Sequence, residues 1–419
     1  MAVWIIADDF TGANDSIVRF AAAGARSLTL FDPLFPKERL DSCQAVAFSV
    51  NSRGVPREEA YRLTRAALQQ LGPAAGDLLY KKIDSALRGN IGPELDAMLD
   101  GLGRGWTALV APALPENGRI TAGGYQLLNG VPVHETEMAA DPVTPVRESH
   151  LPTLLAAASR HRVGYLPLAM IDGGPERAAA ALNEQIAAGC RIVAADATRA
   201  EHLDMLARLC LASAAILPCG TAGLAGALAR RLFPGPAPAT PFEADLVGPV
   251  AALIGSKSRN ARLQMERALA DLPWLAEIEA ERIALAAIGK RPPEAERIAA
   301  AAGQALASGK KGVLVRLDAD PALDPGAVDA SALAAGLGAV ARKLAETGRF
   351  KAFYLSGGDI AAAAVAALDG WGLAVRAELA PGVCLGSLRG GPFAGLPLVT
   401  KAGSFGDAGT LARALRIFQ

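Results

Sequence analysis

Near its N-terminus the chain reads Val3-Trp4-Ile5-Ile6-Ala7-Asp8-Asp9-Phe10-Thr11-Gly12-Ala13-Asn14-Asp15, an apolar run that stops at two adjacent aspartates. The run predicts a buried strand, and the Asp, Thr and Gly that follow it are typical of a turn leading into a helix. Short apolar or β-branched runs alternate with amphipathic or alanine-rich stretches along the rest of the sequence as well. This alternation predicts an α/β fold with mostly parallel sheets flanked by helices.

The composition limits the class of protein. A chain of 419 residues favours two domains, and its 51% hydrophobic and 20% charged residues exclude a disordered or low-complexity protein. Because 42 Lys and Arg balance 42 Asp and Glu, no overall field attracts nucleic acid or an anionic membrane. The positive mean hydropathy comes largely from alanine, and no uncharged stretch reaches the roughly 18 apolar residues of a membrane span. We therefore expect neither nucleic acid nor a membrane as a partner.

Other composition features concern the compartment and the type of chemistry. The N-terminal residues have no basic start and meet two acids early, so the sequence predicts a cytoplasmic protein rather than an exported one. The five cysteines form no CxxC pair, which indicates reduced and mostly buried thiols. The four histidines are dispersed, and no HExxH or GxSxG motif occurs, which argues against a zinc hydrolase or a serine hydrolase.

A proline-rich segment divides the chain. Residues 233–249 contain five prolines and two glycines with little periodicity, which is typical of a linker. We expect domains at 1–235 and 249–419, joined by a linker at 236–248. The strands predicted before the linker are Val3–Ala7, 45–50, 78–83, 108–111 and 191–195, with an amphipathic helix at Arg57–Leu71. After it we predict strands at Val250–Ile254, Arg282–Ala286, Gly312–Leu317 and 351–355, and helices at 260–270, 294–307, 331–346 and 360–368.

Polar residues follow the first predicted strand, where open α/β sheets build ligand sites. Asp8 and Asp9 are adjacent on a turn, so their carboxylates point in different directions. One of them can accept a proton from a substrate hydroxyl while the other orients a neighbour or holds a metal ion. An ordinary helix cap beside a loop acid explains the same residues equally well.

A denser polar segment, Tyr80-Lys81-Lys82-Ile83-Asp84-Ser85-Ala86-Leu87-Arg88-Gly89-Asn90, ends another predicted strand. An arginine fork matches a carboxylate, and a small polyhydroxylated acid needs such an anchor together with several hydroxyl partners. Arg53 ends a further predicted strand and can join this group. The alternative is a solvated basic loop.

Two glycine loops lie in the C-terminal part. Ser356-Gly357-Gly358-Asp359 leads into a predicted helix, and Lys401-Ala402-Gly403-Ser404-Phe405-Gly406 follows Val399-Thr400 at another place where a strand should pass into a helix. Glycine turns at helix starts let backbone N–H groups approach phosphate oxygens, although many such turns are only structural. Ser256 belongs to a third loop, Gly255-Ser256-Lys257-Ser258, at the end of the strand predicted at Val250–Ile254. Neither a Walker A nor a GxGxxG motif occurs.

Taken together and in order, Asp8-Asp9-Phe10-Thr11-Gly12-Ala13, Lys82-Ile83-Asp84-Ser85 with Leu87-Arg88-Gly89-Asn90, Ser356-Gly357-Gly358-Asp359, and Lys401 with Gly403-Ser404-Phe405-Gly406 resemble the motifs of the four-carbon acid sugar kinases. The similarity runs nearly from end to end. It implies an N-terminal domain that holds the acid sugar, a C-terminal domain that holds ATP, and phosphorylation of the C4 hydroxyl in an active-site cleft between them. It also implies Mg²⁺ as a cofactor.

The resemblance assigns roles residue by residue. Asp8 and Asp9 lie on the acidic turn, and we favour Asp9 over Asp8 as the general base. The expected substrate-binding residues are Arg53, Lys82, Asp84, Ser85, Arg88, Gly89 and Asn90. The expected nucleotide-binding residues are Ser256, Gly357, Gly358, Asp359, Lys401, Gly403, Ser404 and Gly406. The resemblance names no metal ligands.

Several positions depart from the family pattern. Ala86 and Ile360 stand where threonine is usual, and Lys257 stands where cysteine is common. The Lys82-Ile83-Asp84-Ser85 form resembles the D-threonate and D-erythronate branch more than the 3-oxo-tetronate branch, which stays an alternative together with other small acid sugars. An NAD-dependent dehydrogenase and a non-catalytic acid-sugar binding protein are the alternatives from other classes. A homodimer is compatible with the sequence, which does not determine the oligomeric state.

Overall fold

In the computed structural model, the described residues are 2–31, 40, 42–235, 246–256, 258–286, 293–318, 329–401 and 406–419. Internal contacts divide the chain into an N-terminal unit, Met1–Leu28 with Pro33–Ala237, and a C-terminal unit, Thr29–Asp32 with Pro238–Gln419. Most of the predicted linker, residues 236–245, lies outside the described residues. No helix in the described part of the chain combines the length and apolar character that crossing a membrane requires.

The first part of the chain alternates strands and helices as expected. Its strands are β1 (Val3–Ala7), β2 (Ser27–Leu30), β3 (Ala45–Ser49), β4 (Leu78–Lys82), β5 (Thr107–Ala111), β6 (Arg119–Ala122), β7 (Tyr125–Leu128), β8 (Val131–Pro132), β9 (Val163–Leu166), β10 (Ile192–Ala195) and β11 (Ile216–Gly220). Its helices are α1 (Phe10–Ala22), α2 (Arg57–Leu71), α3 (Ile91–Leu102), α4 (Leu151–Ala158), α5 (Leu168–Ile171), α6 (Pro175–Ala187), α7 (Ala200–Leu211) and α8 (Ala222–Leu232).

The main sheet of the N-terminal unit brings several loops to one edge. Its parallel strands follow the order β3-β1-β4-β11-β5-β10-β9, while β6, β7 and β8 form a small antiparallel sheet. Ala7 at the end of β1 pairs in register with Ser49 and with Lys82, and Lys82 pairs with Gly220. The loops after β1, β3 and β4 therefore begin side by side at the carboxyl edge, where ligands bind in open α/β sheets.

The second part of the chain also alternates strands and helices. Its strands are β12 (Val250–Ile254), β13 (Leu275–Ala280), β14 (Gly312–Leu317), β15 (Ala352–Ser356), β16 (Gly372–Ala380), β17 (Val383–Arg389) and β18 (Pro397–Lys401). Its helices are α9 (Arg259–Asp271), α10 (Arg282–Ala286), α11 (Pro293–Ala307), α12 (Ala330–Glu346), α13 (Gly358–Ala367) and α14 (Thr410–Arg416). Strands β13-β14-β12-β15-β18 are parallel, and β17 and then β16 continue the sheet in antiparallel fashion. The predicted α/β class with mostly parallel sheets and flanking helices is confirmed.

One predicted strand is wrong. Arg282–Ala286 forms a short helix, in which Arg282 and Leu285, three positions apart, are buried while Ile283 is 60% exposed. That spacing is helical. The edge strand lies upstream at Leu275–Ala280, whose glutamates alternate with buried apolar residues. The antiparallel pair β16 and β17 was not predicted either, whereas the other predicted elements agree with the structure to within two residues at each end.

Candidate active site

The acidic turn after β1 holds two carboxylates in different surroundings. Asp9 is the N-cap of α1, where its Oδ1 accepts a hydrogen bond from the Gly12 N–H at 2.7 Å. Asp8 is 2% exposed, and its Oδ1 has no hydrogen-bond partner among the described residues. A Cβ at Gly12 would lie 2.8 Å from Lys82 Nζ, so the glycine allows that ammonium to approach the turn. The helix-cap interpretation thus explains Asp9 in part but does not explain Asp8.

Arg53, from the loop after β3, bridges the two carboxylates. Its Nε donates to Asp8 Oδ2 at 2.6 Å, and its Nη1 lies 2.7 Å from Asp9 Oδ2. Its Nη2 lies 3.8 Å from Asp84 Oδ1, in the loop after β4. The structure therefore brings together residues from three loops that the sequence had singled out separately, and a cavity of about 460 Å³ opens beside Arg53 and Gly89.

The two carboxyl groups differ in proton affinity. Burial by itself raises the pKa of Asp8, but the charge and hydrogen bond of Arg53, together with the charges of Lys81 and Lys82, outweigh burial and hold that pKa below its ordinary value. Burial also raises the pKa of Asp9, and although Arg53 opposes the rise, the neighbouring Asp8 charge adds to it, so the pKa of Asp9 is raised overall. Asp8 is therefore the carboxylate that stays ionised, and Asp9 is the better proton acceptor.

The loop after β4 contains a second arginine and carboxylate pair. Arg88 donates to Asp84 through both Nε, at 2.8 Å to Oδ2, and Nη2, at 3.0 Å to Oδ1. Arg88 Nη1 also reaches Asp141 Oδ2 at 3.3 Å. Burial alone would raise the pKa of Asp84, but Arg53 and Arg88 keep it well below its ordinary value. Asp84 and Arg88 therefore hold each other at the edge of the site.

The remaining predicted substrate residues lie in the same loop, and some of them have structural contacts. Lys82 is 4% exposed, and its Nζ donates to Ile83 O at 2.8 Å. Asn90 donates through Nδ2 to two carbonyls of the Arg53 loop, both at 2.9 Å. Gly89 has φ +90°, and a Cβ there would lie 3.2 Å from Arg53 Cγ. The Ser85 carbonyl accepts a hydrogen bond from Gln126 Nε2 at 2.8 Å.

Sequence reasoning missed two side chains that support these loops. Gln126 on β7 reaches the loop after β4, and Glu94 on α3 forms a buried ion pair with Lys81. Successive residues of a strand face opposite sides, so Lys81 and Lys82 cannot both reach one site. Two adjacent lysines in a predicted strand therefore indicate that one of them faces away from the site and needs an acidic partner on the opposite face of the sheet. Nothing in the local pattern pointed to Gln126.

The predicted nucleotide residues of the C-terminal unit also meet at a carboxyl edge. Ile254, Ser356 and Lys401 end β12, β15 and β18, and they are paired in register across these three neighbouring strands. Ser256 and the Gly357–Gly358 turn follow two of these strands directly. Gly403 and Ser404 lie outside the described residues.

The loop after β15 depends on backbone freedom and close packing. Gly357 has φ +115°, caps α13, and donates its N–H to the Lys401 carbonyl at 2.9 Å. A Cβ at Gly255 would lie 2.5 Å from Ile360 Cδ1. Ile360, which departs from the usual threonine, is 7% exposed and thus fills the space between two loops. Asp359 is exposed in the first turn of α13.

The other two nucleotide loops are linked to α9. Ser256 Oγ lies 3.1 Å from Ser258 Oγ, and Ser258 caps α9 by accepting the Ala261 N–H at 3.1 Å. Asn260 Nδ2, in the first turn of α9, donates to the Gly406 carbonyl at 2.7 Å. The start of α9 therefore contacts Ser256 through Ser258 and Gly406 through Asn260.

A buried ammonium lies at this edge. Lys401 is 2% exposed, and burial lowers its pKa to about 8. The N-terminus of α13 presents first-turn N–H groups and the positive end of the helix dipole nearby. Both features suit a polyanionic phosphate, which would offset the cost of burying the lysine charge.

The described residues offer few protein ligands for a metal ion. Within the described ranges, no group of three or more His, Cys, Asp and Glu side chains is arranged to hold one. Mg²⁺ in phosphoryl-transfer sites is usually held by one or two carboxylates together with substrate phosphates and water. Asp8 Oδ1, which has no hydrogen-bond partner among the described residues, fits that mode of binding.

Comparisons with known proteins also assign sugar binding to the N-terminal part and nucleotide binding to the C-terminal part. Residues 3–228 match a family profile described as a sugar-binding N-terminal domain, and residues 251–411 match one described as a nucleotide-binding C-terminal domain. A crystal structure from Salmonella typhimurium LT2 superposes with a TM-score of 0.83 at 28% identity over 100% of both chains. Haemophilus influenzae protein HI1011 superposes with a TM-score of 0.78 at 25% identity, over 99% of this chain and 100% of that one.

Relatives named for their activity match over nearly the full length. The D-erythronate kinase of Heliobacterium modesticaldum is 35% identical, over 97% of this chain and 94% of the relative. The D-threonate kinase of Bordetella bronchiseptica is 34% identical, over 98% and 96%. The 3-oxo-tetronate kinase of Brucella melitensis is 31% identical, over 100% and 96%. With these relatives and a sugar-binding and a nucleotide-binding part in this order, the chain belongs to the four-carbon acid sugar kinases, which use ATP to phosphorylate an acid sugar.

Proposed function

We propose that the protein transfers the γ-phosphoryl group of ATP to the C4 hydroxyl of D-erythronate or D-threonate. The observation that carries this proposal is the arrangement of Asp8 and Asp9, two carboxylates of opposite pKa shift, on the single guanidinium of Arg53. Membership of the kinase family makes a dehydrogenase or a non-catalytic binding protein a poor account of this chain. The 3-oxo-tetronates and other small acid sugars are the alternative substrates.

Asp9 is the general base in this proposal. Its raised pKa suits it to accept the C4 hydroxyl proton as the oxygen forms its bond to the γ-phosphorus and the bond from that phosphorus to the ADP oxygen breaks. Asp8 stays ionised and holds Arg53 through the 2.6 Å bond from Nε. Most of the rate enhancement then comes from alignment and charge neutralisation, as in other phosphoryl transfers.

Arg53 and Lys82 are the proposed partners of the substrate carboxylate and hydroxyls. Arg53 has five N–H donors and commits two of its nitrogens to Asp8 and Asp9. Its Nη2 makes only the longer 3.8 Å ion pair with Asp84 and is the nitrogen that would bind a ligand. Lys82 keeps two of its three donors after its bond to a backbone carbonyl. Gly89 and Asn90 line the cavity beside Arg53. Asp84, Ser85 and Arg88 are further proposed substrate contacts from the same loop, with Asp84 and Arg88 paired to each other.

Lys401 and the glycine turn at the start of α13 are the proposed ATP phosphate site, together with Ser256 and the loop that ends at Gly406. We propose Mg²⁺ as the metal, with Asp8 Oδ1 as a candidate ligand. When bound, the ion supplies neutralisation of phosphate charge.

ADP release in the presence of Mg²⁺ and ATP tests this proposal across D-erythronate, D-threonate, L-erythronate, L-threonate and the 3-oxo-tetronates, with the product phosphate located by NMR. We expect turnover of one D-tetronate with phosphate on C4. Asp9→Asn should lose activity while the folded variant still binds the acid sugar. Silence of the folded, ATP-binding wild-type protein across the panel would refute the substrate class. Loss of turnover in Asp8→Asn with full activity in Asp9→Asn would refute the choice of base.

A further inference from the structure

A buried ion pair lies behind the acidic turn. Lys81 Nζ is 2.6 Å from Glu94 Oε2, and the two side chains are 0% and 1% exposed. Neither residue belongs to the proposed catalytic or substrate-binding groups. Burying two charges costs several kcal/mol of desolvation for each ion, so such a pair is weak support for stability and calls for another explanation.

The other contacts of the pair lead to the site loops. Lys81 Nζ donates to the Lys82 carbonyl at 2.8 Å and to the Ile6 carbonyl, two residues before Asp8, at 3.4 Å. Glu94 Oε1 accepts a 2.6 Å hydrogen bond from the hydroxyl of Ser52, which directly precedes Arg53. The pair therefore contacts the ends of β1 and β4 and the loop after β3.

The loop that carries Arg53 is held at further points. The backbone N–H groups of Ser52 and Arg53 both reach the Asp8 carbonyl, at 3.0 and 3.3 Å. Asn90, the N-cap of α3, donates to the carbonyls of Ser52 and Val55. Glu94 lies in the first turn of the same helix. Helix α3 therefore holds this loop on both sides of Arg53, through two hydrogen bonds from the Asn90 amide and one hydrogen bond to the Glu94 carboxyl group.

We infer that Lys81, Glu94 and Ser52 form a positioning network that sets the guanidinium of Arg53 on Asp8 and Asp9. The three side chains are buried and are not among the proposed substrate contacts. They act by fixing the backbone of the loop that carries Arg53, so that its guanidinium group reaches the carboxylates of both Asp8 and Asp9. This inference rests on the proposed role of Arg53 and Asp9 in catalysis.

Ser52→Ala tests the network most gently, because it removes the bond from the loop to Glu94 and leaves the ion pair intact. We expect the kcat/KM of Ser52→Ala, measured with Mg²⁺, ATP and either D-erythronate or D-threonate, to be lower than that of the wild type by about tenfold or more. In Arg53→Ala the same Ser52→Ala change should cost less than twofold, because the side chain that Ser52 positions is already gone. Lys81→Met/Glu94→Gln should show the same dependence on Arg53.

Asp100→Asn is the matched control, since Asp100 also lies on α3 but pairs with Arg160 and Tyr61 away from the loop. It should leave kcat/KM near the wild-type value. Multiplicative effects of Ser52→Ala and Arg53→Ala in an active protein would overturn the inference while leaving the proposed function intact.

A crystal structure of Ser52→Ala gives a readout that needs no turnover. We expect the Arg53 guanidinium to have lost its bond to Asp8, to Asp9 or to both. Arg53 found unmoved on both carboxylates would overturn the inference, even if the wild-type protein were silent on every acid sugar and the proposed function had failed.

Discussion

Two replacements of Arg53 distinguish the effect of its positive charge from the effect of its planar guanidinium geometry, which lets one side chain bind both Asp8 and Asp9. Arg53→Lys keeps the charge, but an ammonium cannot repeat both the 2.6 Å bond to Asp8 and the 2.7 Å contact to Asp9 in the geometry of a planar guanidinium. A hydrogen bond to a charged group contributes about 1.5–3 kcal/mol, so the loss of one such bond should lower kcat/KM by about ten- to a hundredfold. Arg53→Ala loses both bonds and should cost more.

The pH dependence distinguishes charge from geometry. The positive charge of Arg53 opposes protonation of both Asp8 and Asp9, so its removal raises both pKa values. The acid limb of the profile of kcat/KM against pH should therefore move to higher pH in Arg53→Ala and move little in Arg53→Lys. The assay is ADP release between about pH 5 and 9 with saturating ATP and either D-tetronate.

Arg62→Ala is the control, because Arg62 pairs with Glu59 on the exposed face of α2. It should retain wild-type kinetics. A wild-type kcat/KM in Arg53→Lys would show that the simultaneous contact of one guanidinium group with Asp8 and Asp9 is not needed for activity. An unmoved acid limb in Arg53→Ala would show that the titrating group is not one of the two aspartates beside Arg53.

Three further outcomes are expected. Because burial lowers the pKa of Lys401 to about 8, raising the pH from 7 to 9 should remove its charge and raise the KM for ATP, and Lys401→Arg, which stays charged, should flatten that dependence. Gly76→Ala, with a φ of +91° and nothing within 4 Å of its Cβ, should show only the backbone cost of about 1–3 kcal/mol in urea denaturation. Gly89→Ala should destabilise the protein more than Gly76→Ala and lower kcat/KM, because its Cβ would also lie 3.2 Å from Arg53 Cγ. The buried hydroxyl of Tyr354 has no partner among the described residues, so Tyr354→Phe should leave the free energy of unfolding unchanged or raise it by up to about 1 kcal/mol. Tyr80→Phe, which loses a 2.5 Å bond to a backbone carbonyl, should lower it by about 1 kcal/mol, and equal effects of the two tyrosine changes would contradict this account.

Local sequence was sufficient where the physical cause is local. The α/β class follows from periodicity, since Val3–Ala7 is a buried strand and Arg57–Leu71 an amphipathic helix in both prediction and structure. The same reasoning failed at Arg282–Ala286, where five residues are too short for periodicity to separate a helix from a strand.

The candidate site followed from sequence only as a set of separate loops. Asp8, Arg53 and Asp84 were each recognisable as polar residues at the end of a predicted strand, and the family motifs gave them roles. Their arrangement was not predictable, because residues 45 and 31 positions apart meet only through the parallel order of β3, β1 and β4. The opposite pKa shifts of Asp8 and Asp9 have the same origin, since burial and the position of Arg53 produce them.

The sequence by itself therefore determined the fold class, the family and the list of polar loops, because these depend on residue type and spacing along the chain. Only the tertiary structure decided that one guanidinium bridges both carboxylates of the acidic turn. It also decided that the partner of Lys81 is Glu94 on α3. Distances between side chains on different strands depend on strand order, register and burial, and none of these is encoded in any single stretch of the sequence.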